Sequence, residues 1–223
     1  QRLFETSLKQ AEFRALQHQI NPHFLFNTLD TINWLASMEM YSDVIDMVTA
    51  LGELMRAKIN PKGSFGTIQE EISLVETYLK IQSYRFSDKL KYQISVDEEA
   101  KDMYMMRLML QPLVENAVIH GVEQQEKPCH LIIRVQLQDE KLCSEIIDNG
   151  PGMSEEMIQA IYRGQTEGIG ITNIIHRLEL LFAKDTLFLI KSIPGQGTTI
   201  SIETPLLIMN QVFGTPWNPE STE

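Results

Sequence analysis

Two groups of residues in this 223-residue chain have types and spacings that could do chemistry. The first centres on His23, in the run Gln-His-Gln-Ile-Asn-Pro-His-Phe-Leu-Phe-Asn at 17–27. Asn21 followed by Pro22 is a helix-start pair, because Asn accepts from the orphan N–H groups of a first turn and Pro has no N–H to leave unpaired there. The positive end of that helix disfavours imidazolium, which leaves a ring-nitrogen lone pair for nucleophilic attack. At about 100° per residue, Leu25, Phe26, Leu29, Ile32 and Ala36 should form the buried stripe, with His23, Asn27, Asp30 and Trp34 roughly opposite. Taken alone, the histidine has a plainer explanation as a residue packed beside Pro22.

The second group is spread over the later half. It comprises Leu110-Gln-Pro-Leu-Val-Glu-Asn-Ala117 with His120-Gly121, Asp148-Asn-Gly-Pro-Gly-Met153, Gly168-Ile-Gly-Ile-Thr-Asn173, and Gly195-Gln-Gly-Thr-Thr199. Each is ordinary by itself, as turn chemistry, a flexible junction or a solvated helix face. Their chemistry nevertheless converges. Glycines leading into a helix at Ile171 let backbone N–H groups approach phosphates at a helix N-terminus. The amide oxygen of Asn116 suits Mg²⁺, a hard cation that bridges phosphates. Asp148, at a strand end, can accept from an exocyclic base amine. These are the parts of a pocket for a magnesium nucleotide.

Elements must hold these groups in place. Phe4, Leu8, Ala11, Ala15 and Leu16 predict a helix over 1–20 that starts abruptly, as the trimmed end of a longer helix would, and kinks at Pro22. A second stripe, Val44, Met47, Val48, Leu51, Leu54 and Met55, predicts a helix from about Ser42 to Lys58, stopped by Asn60-Pro61-Lys62-Gly63. Thr67 with Glu70 is a capping box that opens a third helix through Ile72, Val75, Leu79 and Phe86. Three amphipathic helices make an incomplete bundle, which a second copy would complete as a four-helix core. From about Leu90 the pattern changes to strands (91–96, 131–137, 142–147, 187–193, 198–203) alternating with helices (107–121, 154–162, 171–182). That predicts a two-layer mixed sheet with helices on one face.

Composition narrows the function. Thirty acidic against 19 basic residues give a net charge of −11, which argues against binding nucleic acid. Cys129 and Cys143 lack metal or disulfide spacing and read as reduced thiols of a cytoplasmic protein. No apolar run reaches membrane length, and Gln1–Lys9 does not resemble a signal peptide.

The four later motifs resemble the N, G1 and G2 boxes of the ATP-binding fold shared by sensor histidine kinases, DNA gyrase, Hsp90 and MutL. The stretch around His23 resembles the phosphoacceptor box of the LytS/YehU/YesM-like sensor histidine kinases, and its Ile-Asn-Trp-Leu-Ala continuation leans toward the YesM-like branch. The resemblance implies an α+β protein: a dimerising helical hairpin with the phosphoacceptor at 1–88, a catalytic two-layer α/β sandwich of the Bergerat type at 89–205, and a tail at 206–223. It implies His23 as the phosphorylated residue, Asn116 as the Mg²⁺ ligand and Asp148 as the adenine-binding carboxylate. Gly150 and Gly152 would shape the base pocket with Thr198, and Gly168 and Gly170 would face the phosphates. His120, Asn173 and Gly197 complete the nucleotide site. ATP and Mg²⁺ are the implied cofactors. A second copy and a response regulator are the implied partners, with the core on the cytoplasmic side of a membrane sensor whose signal arrives along residues 1–20.

Departures from the family pattern shape the expected mechanism. Related ATPases place a water-activating glutamate one turn before the magnesium asparagine, and here that position is Pro112, which cannot be a base. Glu115 is near, but about 100° around the helix from Asn116. Phe24 stands where many histidine kinases have an acidic residue, so Asn27, one turn on, is expected to orient the His23 ring. Ile119 replaces a frequent basic residue, with His120, Arg163 or Arg177 as candidate substitutes. The short segment between Met153 and Gly168 predicts a small, mobile lid. Two rivals remain open at this level: a degenerate nucleotide-binding scaffold and a simple ATPase of the same fold.

Overall fold

A computed structural model describes residues 22–59, 64–123, 127–165, 169–182 and 185–207. The helix expected over 1–20, the junction before Pro22, the stop at Asn60–Gly63, Gly168 and most of the tail lie outside these residues. Contacts divide the chain into two units, one containing the described residues up to Ile59 with Glu76–Ser87, the other Ser64–Val75 with Asp88 onward.

In the first unit, α1 (Pro22–Ser37) and α2 (Tyr41–Ile59) are joined by Met38–Met40. Glu39 takes a positive φ of 60°, and the Met40 N–H returns to the Leu35 carbonyl at 3.0 Å. The later turns of α3 (Ile68–Phe86) complete the unit. Lys80 pairs with Asp46 at 2.7 Å, and the Tyr84 hydroxyl donates to Asp43 at 2.9 Å. Leu35, Met47, Ala50, Leu54 and Tyr78 are buried.

The stripe expected on α1 needs correcting. Thr28 and Leu35 are its buried residues, while Phe26 is 66% exposed and Leu29 47%. The helix is apolar on more than one side, and periodicity cannot say which side the chain itself covers. Tertiary packing chose the side carrying Phe24, whose ring centroid lies 5.4 Å from that of Tyr78. Val48, assigned to the buried stripe of α2, is likewise exposed.

The second unit is built on two sheets. The short strands β1 (Phe65–Thr67) and β3 (Tyr104–Met106) pair antiparallel. They lie below the length that periodicity detects, and the sequence reading missed both. The main sheet has the order β2-β4-β5-β7-β6: β2 (Leu90–Val96), β4 (Cys129–Gln138), β5 (Lys141–Asp148), β7 (Gly197–Pro205) and β6 (Leu187–Ile193). β2 runs parallel to β4, and the other neighbours are antiparallel. A parallel pair needs a long crossover. Here the crossover carries β3 and α4 (Leu110–Val118), followed by a π-helical turn at Ile119–Glu123. α5 (Glu155–Tyr162) and α6 (Ile169–Phe182) follow β5.

Register sets the buried face. Leu131, Ile133 and Val135 stand opposite Asp148, Ile146 and Ser144, which stand opposite Thr198, Ile200 and Ile202. Directly opposed residues point to the same side of a sheet, and the apolar members of this set are buried. The row at one end reads Leu131, Asp148, Thr198, Ser192. The hydrophobic face thus ends in three polar side chains.

Candidate functional site

The candidate residues fall in both units. In the first, His23 sits exposed in the opening turn of α1, with Asn27 Nδ2 at 3.1 Å from its Nε2. The backbone beneath it is anchored. Phe24 packs on Tyr78, whose hydroxyl accepts from Gln82 Nε2 at 2.8 Å, and the buried Thr28 hydroxyl donates to the Phe24 carbonyl at 2.7 Å. Phe24 therefore holds by packing a turn on which an acidic residue would have stayed in solvent.

In the second unit, the floor is the polar row at the sheet end. Asp148 Oδ1 accepts from the Gly150 N–H at 2.7 Å. Burial pushes the Asp148 carboxyl above the usual range, while the backbone N–H groups of Gly150 and Thr198 and the nearby His120 ring pull it back. Gly197 and Gly152 are obligatory here. At φ 101° a Cβ on Gly197 would lie 2.1 Å from the Asp148 carbonyl oxygen, and at φ 69° one on Gly152 would lie 2.1 Å from that of Ile193. Larger residues would force the two loops off the floor.

Ser192 was missed by the sequence reading. Its hydroxyl donates to the Gly197 carbonyl at 2.9 Å, meets Thr198 Oγ1 at 2.9 Å and accepts from the Met153 N–H at 2.8 Å. It ties the Gly150–Met153 loop to the Gly197–Thr198 turn. The signal was the register opposite Thr198, which does not exist before the strands are paired.

The wall above the floor is α4. Pro112 falls in its first turn, where a missing N–H costs nothing. Pro112 and Asn116, four apart, share the face that meets α6: a Cβ on Gly170 would stand 3.5 Å from Asn116 Nδ2 and 3.6 Å from Pro112 Cβ. One turn on, Gly121 comes down over the sheet, so that a Cβ there would stand 2.7 Å from Cys129 Sγ and 4.0 Å from Gly150 Cα. Asp148, Gly150, Gly152, Gly197 and Thr198 thus make up the floor with His120 near it, while Asn116 and Gly170 meet each other where α4 borders α6. Glu115 is held on the neighbouring ridge, where its Oε1 accepts from Gln111 Nε2 at 2.9 Å. Asn173 is exposed on α6, and Arg177 donates to the Arg107 carbonyl at 2.8 Å.

The expected lid is largely a helix. Ser154 caps α5 by accepting from the Met157 N–H at 3.3 Å. The Tyr162 hydroxyl fastens the far end of α5 to the edge strand, accepting from the Ile190 N–H at 2.9 Å. The rest of the expected lid, at 166–168, lies outside the described residues.

Comparison with known proteins agrees with this geometry. Residues 11–90 match the family model described as histidine kinase, and residues 102–208 match the one described as histidine kinase-, DNA gyrase B- and HSP90-like ATPase. The sensor histidine kinase YesM of Bacillus subtilis (strain 168) is 39% identical over 198 residues, 89% of this chain and 34% of that protein. The sensor protein kinase HptS of Staphylococcus aureus (strain USA300) is 29% identical over 208 residues, 91% of this chain and 40% of that protein. The chain therefore spans well under half the length of these relatives. Among solved structures, the catalytic domain of histidine kinase ThkA shares the fold, with a TM-score of 0.50 at 16% identity, covering 66% of this chain and 100% of that one. Both family models match in order, and the YesM alignment runs through nearly all of the chain, so what this chain resembles along its length is a sensor histidine kinase of the YesM kind.

Proposed function

We propose that this chain is a kinase core that binds ATP on the Asp148 floor, transfers the γ-phosphoryl group to His23, and passes it on to an aspartate of a response regulator. The observation that carries the reading is the convergence around that floor. A half-buried carboxylate is available to an exocyclic amine at the sheet end, and the glycine-bearing start of α6 lies beside Asn116, where phosphates meet helix N–H groups. The residues fit a magnesium ion in donor chemistry, since Asn116 offers an amide oxygen on the face bordering Gly170. When bound there, Mg²⁺ would neutralise charge on the phosphate oxygens.

The steps done by the chain follow from its side chains. Asp148 accepts from the base, with Thr198 beside it and Ser192 holding the two loops together. His23 attacks with a ring-nitrogen lone pair. A nitrogen–phosphorus bond forms as the bond to the departing ADP oxygen breaks, the proton staying on the other ring nitrogen, and Asn27, whose amide lies 3.1 Å from Nε2, orients the ring before the attack and releases it as the bond forms. Pro112 offers no carboxylate to activate water, which favours transfer over hydrolysis. In the second transfer a carboxylate oxygen of the regulator attacks phosphorus and His23 leaves as neutral imidazole.

A second copy joined through the helical region, and a membrane-bound sensor with this core on its cytoplasmic side, complete the reading. Among the described residues, no helix is long and apolar enough to cross a membrane.

The test is incubation with γ-labelled ATP and Mg²⁺ of the native chain, His23→Gln and Asn116→Ala. Acid-labile, base-stable label is expected on the native chain alone. Nucleotide binding without label would favour the scaffold, to which Ile119 lends support, and steady phosphate release without label the ATPase.

A further inference from the structure

The strongest feature outside the pocket is a buried carboxylate at the start of the helix that carries Asn116. α4 has no cap of its own: Met109 fills the cap position with no side-chain hydrogen bond. The first N–H groups of a helix need acceptors, and here they come from far along the chain. Glu71, in the first turn of α3 and fully buried, accepts from the N–H groups of Leu108 at 2.7 Å and Met109 at 3.2 Å, and also from that of Leu110. Leu108 sits at φ 55°, a conformation a leucine adopts at a cost. Its left-handed turn aims successive N–H groups at one point, as in an anion-binding nest.

The same turn is gripped from the other side. Arg177 of α6 donates Nη2 to the Arg107 carbonyl at 2.8 Å, and the Arg107 guanidinium reaches Glu70 at 2.7 Å. Gly66 makes room, since a Cβ there would stand 2.7 Å from both Arg107 Cζ and Glu70 Oε2. The charged groups facing Glu71 are therefore Arg107 and Arg177. Leu108 and Met109 are held at their N–H groups by α3, and Arg107 at its N–H by the Ser64 carbonyl and at its own carbonyl by α6, while α4 and α6 border each other at Asn116 and Gly170.

We propose that Glu71 is a positioning residue for the nucleotide site: by capping α4 across 37 residues, it sets where Asn116 stands relative to the start of α6. This rests on the reading of the Asp148 floor as the ATP pocket. A side chain that only stabilised the fold would, when altered, lower the melting temperature and leave nucleotide affinity alone. A positioning residue changes affinity in a protein that is still folded.

Glu71→Gln is the primary variant. It is isosteric, and because burial already disfavours the charge of Glu71, the neutral amide should fold. It keeps one acceptor oxygen but turns an NH₂ group toward the N–H donors. Mg-ATP binding by calorimetry, on the full chain, is compared with Glu71→Ala and Asn116→Ala, and amide exchange over residues 110–116 is followed without nucleotide. We expect affinity to fall about tenfold in Glu71→Ala, as for supporting contacts behind a ligand, and less in Glu71→Gln, with faster exchange in α4 in both. Native affinity in Glu71→Gln with α4 exchanging faster, or unchanged exchange in α4, overturns the proposal. If Glu71→Ala does not fold, Glu71→Gln decides alone. A native chain that does not bind Mg-ATP removes the pocket and this proposal together, whereas native binding lost only in Asn116→Ala overturns the positioning role alone.

Discussion

Asp148 alters the charge that Cys129 can carry. The Cys129 thiol is buried beneath Gly121, and burial first, then the Asp148 charge, pushes it up to about 11. The ordinary value is 9.0, so an unfolded chain gives up this proton first. Between about pH 9 and 11 the folded state binds more protons, and its stability must fall as pH rises. Urea unfolding across that range should show the decline in the native chain and a shallower one in Cys129→Ala. Equal slopes would mean that Asp148 and burial do not act on the thiol as described. The variant is needed because Cys143 and Tyr84 are also shifted upward.

Helix ends connect these residues to the fold. The capping box of α3 forms in both directions, with Thr67 Oγ1 accepting from the Glu70 N–H and Glu70 Oε2 accepting from the Thr67 N–H, each at 3.2 Å. Glu70 Oε2 also accepts from Arg107, so a local cap is joined to the turn before α4. Thr67→Ala should cost about 1 kcal/mol, read as a lower denaturation midpoint, with the α3 N-terminal amides exchanging faster. No change would mean that Glu71 and the β1–β3 pairing already fix this end. α3 and α4 differ instructively: one cap lies three residues away and was read from the sequence, whereas the other lies 37 residues away and was not.

At the scale of the molecule, α1 and α2 leave large apolar side chains in water. Phe26 and Ile45 are each 66% exposed and Trp34 is 54% exposed. Apolar surface of this kind on a monomer marks an interface, and a second copy of the same helices is the partner the family leads us to expect. Phe26→Glu with Ile45→Glu should convert a dimer to a monomer in sedimentation equilibrium while leaving ATP affinity in the second unit unchanged. A variant that remained dimeric would place the interface elsewhere.

The sequence by itself determined what depends on near neighbours. Periodicity, caps and turn residues set nearly every helix and long strand within a few residues, from α2 at Tyr41–Ile59 to β6 at Leu187–Ile193. The order and chemistry of the motifs pointed to the candidate residues for a nucleotide pocket, because each motif is a short local solution to a loop or a helix end. Only the tertiary structure decided what depends on pairing across the chain. It chose the side of α1 that is covered, the register that puts Ser192 and Thr198 in line with Asp148, and the parallel placement of β2 beside β4. It also decided that Glu71 caps a helix it does not adjoin. A hydrogen-bond acceptor or an apolar face shows locally that it needs a partner, but the partner is set only when distant segments compete for the same buried space.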